Sequence, residues 1–272
     1  MGGLLTFTYE ELVRTMDHAE AHSAGRSVWG RELWWYKLGS GGKKLFLNGT
    51  HHGNEYITAR LCADYYNEGK IPDGWSVYIM PMVNPDGAAV SQGLLPKSTA
   101  IYENLRRMNG WNDIYRSWQA NANGVDLNHN YDADFSQIEP HGPSRCAGRY
   151  PESEPETRAV VNFVRSENFD MVICLHSQGE VIYHGFKGFY PKGSAEIAAA
   201  MAKISGYAVE EPEKAASFGG MKDWFVDKFK RPGFTVEVGK GKNPIDEGQT
   251  GEIEKRLFGA IDAAMLTYDE VL

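Results

Sequence analysis

Cysteine is scarce in this chain: Cys62, Cys146 and Cys174 stand far apart and no C-x-x-C pair occurs. Neither a disulfide framework nor a cysteine-held zinc site is therefore implied, and the thiols read as buried or idle. No apolar run approaches the roughly 20 residues that a membrane-crossing helix needs. The start at Met1 lacks a basic segment followed by an apolar one, so no secretory signal is visible. As written, the chain reads as cytoplasmic, or as extracellular or wall-associated if it is a piece of a longer protein. A basic excess is missing too. The formal net charge of −8 argues against an extended nucleic-acid face. No repeat, low-complexity tract or linker divides the sequence.

What is present is a globular composition, 42% hydrophobic and 24% charged over 272 residues. One domain over residues 1–272 is expected, with 1–6 a disordered lead or a cloning remnant. Thr8 is a plausible N-cap for a helix over 8–22, where Leu12, Val13 and Met16 share a face. Runs 32–38 and 43–48 read as strands joined by a Gly39–Gly42 hairpin turn. A helix over 55–67 and a strand over 76–83 follow, the latter ended by an Asn84-Pro85-Asp86-Gly87 turn. Residues 91–134 read as a long polar and aromatic loop, and loops of that length in compact domains are usually functional. Helices are expected over 154–165, 194–204, 220–228 and 251–268. Apolar strands are expected over 169–175 and 233–238, and their unbroken hydrophobicity suits coverage on both faces. Strands alternating with helices argue for a mixed sheet between helical layers.

Catalytic groups in open α/β sheets gather beyond the carboxyl ends of strands. Three apolar strands here run into residues that can hold a metal or move a proton. Leu45-Phe46-Leu47-Asn48 leads to His51-His52-Gly53-Asn54-Glu55; Met171 to Leu175 leads to His176-Ser177; Phe234-Thr235-Val236 leads to Glu237. A hydrolytic zinc takes three protein ligands and leaves one position for water. His52 and Glu55, three residues apart, can be aimed at one ion by a single turn, and His176 completes a two-histidine, one-carboxylate set. His51 competes with His52 for the role, but the spacing to Glu55 favours His52. Glu237 ends a buried strand, where a purely structural glutamate is costly, and is the candidate catalytic carboxylate.

The motifs His52-Gly53-Asn54-Glu55, Asn84-Pro85-Asp86-Gly87, Gly124-Val125-Asp126-Leu127-Asn128, Leu175-His176-Ser177 and Phe234-Thr235-Val236-Glu237 fall in order and in register. In this the chain resembles the zinc carboxypeptidase family over nearly its whole length. The resemblance implies a single α/β/α domain with a mixed, mostly parallel sheet of about eight strands, and one zinc ion per chain. It also implies that Asp126 orients a zinc-binding histidine, His52, through its free ring nitrogen.

Two positions depart from the family pattern. Exopeptidases of the family follow the motif asparagine with an arginine that grips the substrate's terminal carboxylate; here Asn128 is followed by His129. Neutral histidine cannot reproduce a bidentate guanidinium grip. Many bacterial relatives place an oxyanion-steadying arginine where this chain has Gln119, which donates a hydrogen bond without charge. Arg116, Arg106 and Arg107 are the nearby replacements. These departures are similar to the bacterial γ-D-glutamyl-L-diamino acid peptidase branch. That likeness implies peptidoglycan stem peptides or muropeptides as substrates, read by Asn128, His129, Gln119 and Arg116 together with Trp111, Tyr115 and Trp118. Tyr183, Tyr190 or Lys214 is the candidate for the substrate-closing position. Two alternatives stand beside this one: a carboxypeptidase or deacylase on ordinary peptides and acyl amino acids, and an inert wall-fragment-binding module. Retention of every metal-capable residue with Glu237 argues against the last, since a bare binder needs no activated water.

Overall fold

The computed structural model describes residues 7–16, 20–136, 140–211 and 218–272. The first six residues therefore lie outside the described residues, as does Lys214. Eight strands form one sheet in the order β1-β2-β4-β3-β5-β8-β6-β7. They are β1 His22–Arg26, β2 Glu32–Gly39, β3 Lys43–Asn48, β4 Trp75–Met80, β5 Met171–His176, β6 Val181–His184, β7 Ala208–Glu210 and β8 Gly233–Glu237. The central run β4-β3-β5-β8 is parallel throughout, and β6 joins it antiparallel to β8.

Alternation along these strands builds the layers. Leu45 and Leu47, Val77 and Ile79, and Ile173 and Leu175 face one cluster, which helices α2 (Ile57–Glu68), α6 (Ser194–Ser205) and α8 (Thr250–Val271) cover. Phe46, Tyr78 and Met80, and Val172 and Cys174 face the opposite cluster, covered by α5 (Pro155–Glu167) and α7 (Met221–Phe229). Because both faces are buried, β5 is apolar from Met171 to Leu175 and β3 from Leu45 to Leu47. The single α/β domain with a mostly parallel mixed sheet stands as expected.

Several local expectations need correction. Gly39–Gly42 is not a hairpin turn, because β4 lies between β2 and β3: β2 pairs with it antiparallel and β3 parallel. The glycines serve close approach instead. A Cβ at Gly41 would lie 2.1 Å from the Trp75 nitrogen. Helix α1 spans only Tyr9–Thr15, since Met16 turns extended, and His22 begins β1. Its Thr8 cap is real, closed by a reciprocal capping box with Glu11. Asn84-Pro85-Asp86-Gly87 opens α3 (Pro85–Ser91), with Asn84 as its side-chain cap and Pro85 in the first turn. The long loop also contains α4 (Thr99–Met108), capped by Ser98.

The rest of that loop is anchored by buried aromatics. Trp118 and Tyr115 pack with Val90, Leu105 and Ala120, and the Trp118 indole donates to the Ala120 carbonyl at 2.8 Å. Both therefore serve packing rather than substrate reading, while Trp111 is exposed. Trp118→Ala is expected to cost about 3–5 kcal/mol of stability, seen as a lowered denaturant midpoint with an unchanged slope.

Candidate metal centre and active site

The carboxyl ends of β3, β5 and β8 lie side by side, and each delivers one part of the site. After β3, the chain passes through Gly49–His52 into a 3-10 turn, Gly53–Glu55, that leads into α2. That turn is seated backbone on backbone. A Cβ at Gly53 would fall 2.3 Å from the Gly87 carbonyl carbon, so only glycine permits the contact. Asn84 ties the junction by donating to the carbonyls of His51 at 3.0 Å and Gln119 at 3.1 Å. The Gly53 N–H donates to Gln119 O at 2.8 Å. Two of the sequence motifs are thus one structural joint.

The joint aims two side chains at a third. His52 Nδ1 lies 2.9 Å from Glu55 Oε1, and His176 Nδ1 lies 3.0 Å from Glu55 Oε2. One donor atom from each of the three residues lies within 4.8 Å of the others. His51 is turned elsewhere: it is buried, with Nε2 2.9 Å from the Tyr131 hydroxyl. Glu55 also accepts from the Ser177 N–H at 3.2 Å and from Asn243 Nδ2 at 3.2 Å. Asn243, absent from the sequence reading, holds the carboxylate from the side.

Asp126 caps the Leu127–His129 turn and sits 3.2 Å from His52 Nε2 through Oδ1. Its other oxygen accepts the Arg145 N–H at 3.0 Å. A carboxylate on one ring nitrogen fixes the histidine tautomer and leaves the other nitrogen free to bind a cation. With zinc bound, Asp126→Asn is expected to weaken its affinity roughly 10–100-fold, measured by competition against a chromophoric chelator.

The electrostatics of the cluster call for a cation. Burial alone would lower the His52 value, but the Glu55 and Asp126 carboxylates outweigh it and hold it well above the usual range. Burial would raise Glu55, yet His52 and then His176 bring it down to about 2. An N, N, O donor set around a carboxylate that stays ionised is the chemistry zinc takes.

Glu237 ends β8 directly across the ladder from His176. It is half-buried, and among the described residues its carboxylate has no hydrogen-bond or ion-pair partner. Burial and then the Glu55 charge push it up, against the pull of His176 and His52, to about 7. A carboxyl poised there can both take and return a proton near neutrality.

The expected substrate residues separate. His129 Nδ1 donates to the Phe218 carbonyl at 3.0 Å, and its ring stacks on Phe218 with centroids 4.6 Å apart. Asn128 Oδ1 accepts the Met221 N–H that opens α7, at 3.1 Å. Gln119 is half-buried and contributes its backbone to the joint described above. Arg116 lines a cavity beside Tyr56 and the loop after β8. Arg106 and Arg107, in the last turn of α4, are held by Asp113 and Asn104. Tyr190 is exposed and donates to Glu211, and Tyr183 lies on β6.

Two histidines and a carboxylate at the carboxyl edge of a mostly parallel sheet, beside a glutamate without a partner among the described residues, are the arrangement that a zinc metallopeptidase of the α/β class needs. The chain belongs to the zinc carboxypeptidase family, whose model matches residues 9–256. It is 31% identical over 262 residues to γ-D-glutamyl-L-diamino acid endopeptidase 1 of Lysinibacillus sphaericus. That match covers 89% of this chain and 66% of that protein, so the chain spans just under two thirds of its length. Among solved structures, bovine thrombin-activatable fibrinolysis inhibitor shares the fold with a TM-score of 0.74 at 22% identity, covering 97% of this chain and 96% of that one. Murein-tripeptide amidase MpaA from Escherichia coli O157 does so with a TM-score of 0.61 at 20% identity, covering 93% and 96%. No helix among the described residues is long and apolar enough to cross a membrane.

Proposed function

We propose that this protein hydrolyses the bond between the γ-carboxyl of D-glutamate and a diamino acid, diaminopimelate or lysine, in peptidoglycan stem peptides. One observation carries the reading. Where exopeptidases of the family place an arginine, His129 stands, with its Nδ1 proton committed to the Phe218 carbonyl. An imidazole bound in that way offers a chain terminus no paired guanidinium grip, which disfavours ordinary C-terminal trimming. The likeness to the Lysinibacillus endopeptidase supports the same substrate class.

In this reading His52, Glu55 and His176 hold one zinc, which supplies Lewis acidity, polarising a carbonyl and making water more acidic. Glu237 takes the proton of the attacking water and passes it to the departing amine. Asp126 keeps a proton on His52 Nε2, so that Nδ1 presents its lone pair toward Glu55 and His176. The substrate's charged groups lie on both sides of the scissile bond, which lets recognition proceed without a free chain terminus.

The test is product identification by mass after incubation of zinc-loaded protein with L-alanyl-γ-D-glutamyl-meso-diaminopimelate. Release of free diaminopimelate with L-alanyl-D-glutamate is expected. An intact tripeptide alongside cleavage of a hippuryl amino acid would assign the chain to carboxypeptidase activity instead.

A further inference from the structure

The metal cluster has two flanks. On one, Asp126 connects His52 to His129, its Oδ2 lying 4.0 Å from His129 Nε2. On the other, Asn243 connects Glu55 to Ser177, donating to Glu55 Oε1 and accepting the Ser177 hydroxyl at 2.7 Å. The chain neighbours of Asn243, Lys242 and Pro244, line an open cavity of about 490 Å³, and Tyr56, the neighbour of Glu55, lines it too. The cavity is therefore lined by the chain neighbours of Glu55 and of Asn243, which donates to Glu55.

Its lining is charged. Arg116, Lys240 and Lys242 reach it, with Asp246 and Glu247 as the acidic members. Both acids line it too, and each is engaged by a backbone N–H. Asp246 accepts the Gly248 N–H at 2.9 Å as a turn cap. Glu247 takes a hydrogen bond from the Phe7 backbone, and its Oε1 is fully buried without a partner. Lys240 is tied to Glu180 at 3.0 Å. Arg116 and Lys242 remain, both exposed and, among the described residues, without an ion-pair partner.

We infer that Arg116 and Lys242 form an anion subsite on the Glu55 flank that binds the free α-carboxylate of the D-glutamyl residue, making them specificity-determining. This deepens the proposed function and rests on it. A γ-linked glutamate differs from an α-linked residue in leaving its α-carboxylate free close to the scissile carbonyl. Two cations beside the metal cluster answer that group, and charge-assisted bonds from Arg and Lys are the strong way to hold it. Substrates amidated at that carboxyl lose the interaction.

The experiment compares kcat/KM of the zinc-loaded wild type, Arg116→Gln, Lys242→Gln and the double variant on two substrates. One is L-alanyl-γ-D-glutamyl-meso-diaminopimelate; the other carries an amide in place of the D-glutamyl α-carboxylate. Wild type should prefer the acid, and each substitution should lower the rate on the acid roughly 10–100-fold while leaving the amide unchanged. The acid-to-amide ratio is the informative quantity, because misfolding or general damage lowers both rates together. Variants that leave the ratio unchanged overturn the subsite while the proposed function stands. A wild type that cleaves neither substrate overturns the function and the subsite with it.

Discussion

Glu237→Gln is expected to lower kcat on the cleaved peptide by roughly 10²–10⁴-fold, the range for losing a positioned general acid–base. Glutamine keeps the shape and removes the exchangeable proton, so the zinc content and melting temperature should match the wild type. Glu237 ends a central strand across the ladder from His176, has no partner among the described residues, and is held near 7 by burial and the Glu55 charge. The sign of the pH dependence follows. The base must be ionised to accept a proton from water, so kcat/KM rises as pH increases through the carboxyl's value. A bound cation favours the ionised form, which sets this limb below about 7 in the zinc-loaded protein. The same limb should be absent from the residual activity of Glu237→Gln, measured from pH 4.5 to 8 as an approximate span.

Glu55→Ala and His176→Ala should each abolish stoichiometric zinc binding, read by atomic absorption after dialysis, and activity should fall with the metal. A three-ligand catalytic site has no spare donor. Glu55 has the larger expected effect. Its two oxygens face His52 and His176, and it also accepts from Ser177 and Asn243. Its removal leaves these donors unpaired in a buried space, so a loss of stability of about 1–3 kcal/mol accompanies the loss of metal. His51→Ala separates the adjacent histidines. His51 points to Tyr131, so its removal should leave the zinc stoichiometry intact.

The parts legible in the sequence are those set by local pattern. β3 and β5 are buried on both faces, so their apolar runs place them in the sequence, β3 at its observed bounds and β5 within two residues at its start and one at its end. The three-residue spacing of His52 and Glu55 encodes one tight turn, which the chain adopts. The parts that escaped depend on tertiary partners. Nothing within residues 32–48 indicates that β4 inserts between two consecutive strands. β7 is exposed along its whole length and carries no alternation. Asn243 lies in irregular chain beyond β8, and its contact with Glu55 follows from how that loop folds back. The Asn84 motif was visible as a turn, but its work in joining Gly53 and Gln119 appears only when three segments meet.

The most direct test of the account is the ratio of kcat/KM for the γ-linked tripeptide L-alanyl-γ-D-glutamyl-meso-diaminopimelate to that for its α-linked isomer, measured with the zinc-loaded wild type. Recognition that depends on placing the linkage and its free carboxylate correctly predicts a preference for the γ-linked peptide of more than roughly 100-fold. Equal rates, or faster cleavage of the α-linked isomer, would contradict the assignment to γ-D-glutamyl bonds.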